Sequence, residues 1–388
     1  MRRHLLFGTA LAALLPAALG AQSSQFGIRA LGYPNQPYSA RARSMGGANA
    51  MFDPESALNP ASLGYLREMT AAFSVMGDRR LVETPAGDGN VRGMRFPLFS
   101  INGPLKEKPF AFGVSASTYM ARDFAVAYTD TVDIRGTPTG TIDTLASSGG
   151  ITDIRGAAVW RVNQRFALGV SIHGFTGVSR IDRHRYFQDT GYVAIHESSE
   201  VSAAGAGFDI GIIRQLARKL TVAALLRSDG EVRVRRDSLS ETTYPVDLPL
   251  SAGVGLRYAA MPRLLLAGQA IWKGWGSTNQ ALVDIGGTGS RDTWEGGFGV
   301  EYYTNLDRPS RLPIRLGARR ASLPFPLETG ELPTETNLAL GTGFLFAQDM
   351  GGIDLALERV WRKEAHSFEE RAWLLTVTAS LRPGRRSR

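Results

Sequence analysis

The chain has 388 residues, no cysteine and a formal charge of +8. Without cysteine it can hold no disulfide framework, lipoprotein anchor, thiolate metal site or cysteine nucleophile. Beyond its first residues no apolar run reaches the ~20 residues of a spanning helix, which leaves a soluble protein or a closed β-barrel.

The chain opens with Met1-Arg2-Arg3-His4, an apolar stretch over 5–19 and small residues at Ala18, Gly20 and Ala21. That order of charged, apolar and small is a secretory signal, expected to occupy 1–21. Removing it takes away Arg2 and Arg3 and leaves a mature chain starting at Ala21 or Gln22.

Residues 22–69 do not alternate like strands. Ser39-Ala40-Arg41-Ala42-Arg43-Ser44-Met45-Gly46-Gly47-Ala48 is small and helix-compatible, and Asp53-Pro54-Glu55-Ser56-Ala57-Leu58-Asn59-Pro60-Ala61 follows it. Asn59 before Pro60 makes a sound helix start, because Asn caps free N–H groups and Pro loses nothing at the first helical position.

From residue 70 onward, period-two runs bounded by turn residues predict fourteen strands. They fall at roughly 70–77, 93–101, 109–121, 151–162, 165–178, 200–214, 219–230, 245–259, 263–275, 291–303, 311–320, 335–346, 351–361 and 369–381. Short connections at 102–108, 163–164, 215–218, 260–262, 304–310 and 347–350 alternate with long ones. The long ones are 78–92, 122–150, 179–199, 231–244, 276–290 and 321–334, with a shorter last one at 362–368. Sorting by parity is the signature of an outer-membrane barrel with periplasmic turns and external loops. The faces agree: Trp373, Leu375, Val377, Ala379 and Leu381 share one side, against Thr376, Thr378 and Ser380. Leu312, Ile314 and Leu316 oppose Arg315 and Arg319 in the same way, as Trp294, Phe298, Val300 and Tyr302 oppose Glu295 and Glu301. The fold expected is an all-β transmembrane antiparallel barrel over 70–382, with a basic tail at 383–388. Its lumen is too wide for wall side chains to fill, so 22–69 is the expected plug. Glycines such as Gly297 and Gly299 face inward, and fit either close approach of a plug or tight curvature.

The succession Ser-Ala-Arg-Ala/Met-Gly-Gly-Ala, Asp-Pro-x-Ser-Ala-Leu and Asn-Pro-Ala over 39–61 resembles the N-terminal hatch of FadL-type outer-membrane channels for long-chain fatty acids and other hydrophobic compounds, and equally that of PorV-type barrels. The resemblance implies a helical hatch in a fourteen-stranded barrel, with Asn59, Pro60 and Ala61 as its motif. It implies uptake of a hydrophobic small molecule without covalent chemistry; the alternatives are a barrel that docks secreted proteins or a secretion channel, and a general polar pore. The chain departs from the pattern in its tight Ala57-Leu58-Asn59 junction and in running past Leu381 into Arg382-Pro383-Gly384-Arg385-Arg386-Ser387-Arg388.

No HExxH, GxSxG or phosphate-loop motif occurs, and Gly286-Gly287-Thr288-Gly289 precedes no helix. Neither metal nor cofactor is expected, nor nucleic acid as a partner; a monomer is expected. His173 would face the lumen beside Ser171, without an acid partner assigned. Arg155, Arg161, Asp209, Arg257, Arg315, Arg319, Asp354 and Glu358 are the candidate lumen charges, pairing across the lumen or lining a polar channel. Arg79, Arg80, Arg180, Arg183 and Arg185 fall where anionic lipid headgroups are expected. The segment 122–150 carries Phe124, Val126 and Tyr128, more apolar surface than a solvated loop needs, and these are the candidate ligand-binding residues.

Overall fold

The computed structural model describes residues 24–84, 87–189, 191–236, 243–284, 287–307, 311–327, 331–364 and 368–383. The expected signal at 1–21 and all but the first residue of the basic tail lie outside them, as does His366.

One 18-stranded antiparallel sheet runs through the molecule, and fourteen of its strands close on themselves. In chain order these are β1 (Thr70–Thr84), β2 (Gly87–Pro104), β3 (Phe110–Ala121), β4 (Thr137–Asn163), β5 (Phe166–Phe187), β6 (Ile195–Ala217) and β7 (Leu220–Ser228). Then follow β8 (Leu250–Met261), β9 (Leu264–Lys273), β10 (Thr293–Tyr302), β11 (Ile314–Ser322), β12 (Thr334–Phe346), β13 (Gly351–Glu364) and β14 (Phe368–Leu381). Each pairs with the next, and β14 closes on β1 from Glu369↔Glu83 to Leu381↔Ala71. Closure leaves no edge strand, which is what lets a β-structure satisfy its backbone in lipid. The barrel is thus the fourteen-stranded one that the alternation predicts.

The external connections differ from expectation. Phe124–Ile134 pairs with the first part of β4, Glu231–Arg236 pairs with β6 and with Thr243–Asp247, and β4 and β5 remain paired out to Thr141↔Phe187. Much of 78–92, 122–150 and 179–199 is therefore β-hairpin continuing the wall. Paired strands satisfy one another's backbone groups where loops would rely on water. The connection after β9 instead carries short helical turns at Trp275–Thr278 and Asn279–Asp284.

Side chains divide by face. Phe112, Val114, Val170, Ile172, Phe208, Ile210, Phe298, Leu316, Leu338, Leu340 and Leu375 are exposed on the outside, while Ser115, Ser171, Asp209, Glu301, Arg315, Glu358 and Thr376 are buried inside. An exposed apolar belt on this scale is a lipid-contacting surface. Of the arginines expected at headgroups, Arg80 is buried inward and paired with Asp78, because successive strand residues point to opposite faces. Arg180, Arg183 and Arg185 pair with Glu200, Glu197 and Asp143 at 2.9, 3.9 and 2.6 Å. Arg79 alone faces outward without an ion pair among the described residues.

Residues 24–69 run through the lumen as short turns: Gln25–Ile28, the two-residue bridge Tyr33–Pro34, the helix Ala40–Arg43, and the 3-10 turns Ala50–Phe52 and Pro60–Tyr65. The helix starts at Asn59 as expected, its Oδ1 accepting from the Ala61 N–H at 3.0 Å, but it is a 3-10 helix of six residues. Ser39 caps Ala40–Arg43 in the same manner, Oγ accepting from the Ala42 N–H at 3.2 Å.

Candidate functional site

The lumen is the candidate site, and its two walls hold the N-terminal segment by different means. On the β10–β14 side the contacts are charged. The Tyr38 hydroxyl donates to Glu295 at 2.7 Å, Arg41 pairs with Glu301 at 3.1 Å and Arg43 with Glu358 at 3.5 Å. Tyr33 donates to Glu335, which also takes Arg319 and Arg362, and the Ser24 hydroxyl donates to Glu370 at 3.0 Å. Burial, and then the neighbouring Glu295 carboxylate, push the Tyr38 hydroxyl well above its ordinary pKa, so it remains a donor. Glu55 pairs with Arg382, just past the end of β14, at 3.3 Å. Burial, and then repulsion from Asp53 and Asp354, raise its pKa to about 7. On this same side a Cβ on Gly317 would overlap the Met45 carbonyl carbon, so the helix end packs directly on the wall backbone.

On the β3–β6 side most side-chain contacts are small and apolar. Leu63 and Leu66 pack with Ala111, Val159 and Ala167. Asn59, Pro60 and Ala61 sit at the inner ends of β5 and β6, where a Cβ on Gly211 would overlap the Asn59 side chain. The Leu58 carbonyl accepts from Arg155 at 3.3 Å.

Six of the eight candidate charges belong to lumenal ion pairs. Arg155 pairs with Asp209 (3.2 Å), Arg315 with Glu301 (2.8 Å) and Asp354 (2.5 Å), Arg319 with Glu295 (3.6 Å) and Glu335, and Glu358 with Arg43. Arg257 lies over the rings of Phe52 and Tyr65 at 5.3 and 5.4 Å. Arg161 is at the short-turn rim, donating to the Lys108 carbonyl at 3.3 Å. Glu335, Arg362, Glu370 and Tyr33 are not among the sequence candidates; Glu335 and Glu370 stand at inward positions of expected strands, where the alternation points to them, whereas Arg362 falls in an expected connection that is in fact the end of β13. His173 lies between Asp153 (3.4 Å) and Asp229 (3.6 Å), while the buried Ser171 hydroxyl has no hydrogen-bond partner among the described residues, so the two form no nucleophile–base pair there.

Two features adjoin the plugged region. The first is a cavity of about 480 Å³ at the external mouth, between the segment 28–31 and the outer ends of the wall. Leu31, Ile151, Val201, Val234, Val246 and Leu282 make its apolar lining; Arg29, Arg122 and Asp284 are its charged residues. Phe124, Val126 and Tyr128 do not line it, which corrects the sequence expectation. Their alternation with polar neighbours belongs to the strand Phe124–Ile134, where Phe124 is buried and Tyr128 exposed, and the Ala125 carbonyl accepts from Gln25 at 3.2 Å.

The second is a break in the hydrogen-bond ladder of the wall. β2 pairs with β3 only from Leu98↔Ser117 to Pro104↔Ala111, and its outer residues pair with β1 alone. The register of β1 against β2 shifts beside Phe96 and Pro97, and Pro97 has no N–H for the missing ladder. The free edge of β3 is taken instead from inside: Tyr33 and Pro34 pair with Ala121 and Met120, and Asn35 donates to the Tyr119 and Thr118 carbonyls at 2.9 and 3.2 Å.

No protein-family model matches the sequence, and no curated protein matches it. Solved structures do. A FadL homologue from Pseudomonas aeruginosa superposes with a TM-score of 0.62 at 13% identity, covering 90% of this chain and 99% of its own. The toluene transporter TbuX from Ralstonia pickettii gives 0.57 at 14% identity, over 89% and 98%. The monoaromatic hydrocarbon channel CymD gives 0.53 at 15%, over 93% and 99%. The fold of this chain is the fold of those channels.

Proposed function

We propose that the protein is an outer-membrane channel for passive entry of hydrophobic small molecules, with residues 24–69 as its hatch. The observation that carries this reading is the apolar cavity above a plugged lumen, within the 300–1,000 Å³ range of small-molecule sites. A polar pore would need an open lumen, and this one is filled by the buried segment 38–63. Ligand waits in the mouth cavity, and it leaves sideways where β2 parts from β3 once Tyr33–Asn35 moves.

The charged residues of the cavity refine the ligand. Among the described residues Arg29 and Arg122 have no ion pair, and the buried Nε of Arg122 has no acceptor. An arginine so placed suits a carboxylate, so an amphipath such as a long-chain fatty acid fits better than a bare hydrocarbon. The test is titration of the purified full-length protein with a fluorescent long-chain fatty acid. Arg122→Gln is expected to weaken binding about tenfold, from a charge-assisted hydrogen bond of ~1.5 kcal/mol, with toluene binding unchanged. If the wild type binds neither probe, transport fails as an explanation and the docking role takes its place.

A further inference from the structure

Arginine on the outside of a membrane barrel calls for a reason. Near the midplane it costs about 2–4 kcal/mol, falling to about 0–1 at the interfaces. The register places one cross-sheet row outward across six strands: Ala318, Leu338, Arg359, Trp373, Arg79 and Arg92, from β11 to β2. Arg320 stands one step further out on β11, opposite Thr336. The next outward-facing row toward the short-turn rim holds Leu316, Leu340, Leu357 and Leu375 on β11–β14, purely aliphatic. From Trp373 to Leu381 the wall runs about 26 Å at ~3.3 Å per residue, or about 20 Å along the axis at a ~40° tilt, near the ~25 Å height of a lipid-facing band. The arginine row is therefore the outer border of the bilayer's apolar layer.

Four of these arginines, Arg79, Arg92, Arg320 and Arg359, have no ion pair among the described residues. Arg371, in contrast, is matched by Glu369 (2.8 Å) and Glu83 (3.4 Å). Arg359 is held between the rings of Trp361 and Trp373 at 5.4 and 5.1 Å, which fixes the guanidinium against the wall. Below it runs an outward groove of about 610 Å³, lined by Phe298, Val300, Leu316, Leu338, Leu340 and Leu357, among others, with Arg359, Trp361 and Trp373 also on its lining. Arg79 lies two strands from Arg359 in the same row, about 10 Å at ~4.8 Å per strand, and Arg320 two strands away and one step further out, about 12 Å.

We propose that this face binds a lipid bearing two phosphates, one on Arg359 and the other on Arg79 or Arg320, with an acyl chain in the groove beneath. The proposal rests on the membrane reading above. Charge complementarity names the headgroup, the leucine-lined groove names the tail, and the arginine spacing favours two phosphates over one.

The test is native mass spectrometry of the full-length protein titrated in detergent with bisphosphorylated lipid A, monophosphorylated lipid A, phosphatidylglycerol and inorganic phosphate. Bisphosphorylated lipid A should bind tightest, and inorganic phosphate should not displace it. Replacing Arg79, Arg320 and Arg359 together by Ala should weaken it about a hundredfold, at ~1 kcal/mol per arginine. The triple variant Arg180→Ala, Arg183→Ala and Arg185→Ala should bind as the wild type does, and heat-modifiable migration confirms that each variant folds. Equal affinity for phosphatidylglycerol, displacement by inorganic phosphate, or wild-type affinity in the Arg79/Arg320/Arg359 variant overturns the site. Fatty-acid binding measured on the same samples separates this result from the transport reading: its loss in the wild type sinks that reading alone.

Discussion

The two sides of the lumen grip the hatch in opposite ways. Along β10–β14 it meets fixed charges: Glu295, Glu301, Glu335, Glu358 and Glu370 take Tyr38, Arg41, Tyr33, Arg43 and Ser24 in turn. Along β3–β6 it meets glycine, alanine and aliphatic surface. A buried ion pair adds little net stability, yet breaking one by removing a partner costs about 3–5 kcal/mol. The charged side therefore fixes the register of the hatch through ion pairs, while the other side holds it by close packing on wall glycines and lies beside the place where β2 and β3 part.

Gly317 is the sharpest place to break that contrast. Gly317→Val drives a side chain into the Met45 carbonyl, and overpacking against backbone costs about 3 kcal/mol or more. The expected outcome is an undocked hatch in an intact barrel, read as raised conductance in planar bilayers with unchanged heat-modifiable migration. Conductance at the wild-type level would show that the charged wall does not set the register.

Glu55 gives a medium effect with a definite sign. Its docked pKa is raised to about 7 from an ordinary value near 4.5, so the docked hatch holds the proton more tightly. That contribution is fully present below about pH 4.5, is lost as pH rises through about 7 and is absent above it. Protease access to the hatch should increase from pH 5 to pH 8, and Glu55→Gln should flatten the change. A slope that survives in Glu55→Gln would place the titrating group elsewhere.

The smallest effect belongs to the apolar side. Asn59→Ala removes the cap on the Ala61 N–H and should loosen Pro60–Tyr65 by about 1 kcal/mol, seen as faster amide exchange over 60–65 alone. Exchange that quickens equally over 39–48 would mean the two sides act as one.

Strand count and facing were legible in the sequence because the wall has a greasy side and a polar side, so each strand prints its register in period two. Beyond the bilayer that contrast fades. Ser179-Arg180-Ile181-Asp182-Arg183-His184-Arg185 is polar on both faces, and nothing in it distinguishes a paired strand from a loop. Arg79 and Arg80 illustrate the remaining loss: as loop residues they look alike, as strand residues one meets lipid and the other Asp78. Arg359 escaped notice because it occupies a position where the pattern asks for an apolar residue. The lining of the mouth cavity is not legible in the sequence, since its walls come from segments far apart in the chain.

The partners of the first hatch residues carry a consequence for assembly. Ser24 reaches Glu370 across 346 positions and Tyr33 reaches Glu335 across 302. Contacts this distant form late, since the chain entropy of closing the loop comes before any reward. Glu370 sits on β14, the strand that seals the barrel against β1. Sealing the seam and seating Ser24 thus draw on one and the same strand, which ties closure of the wall to the placing of the residue that starts the stopper.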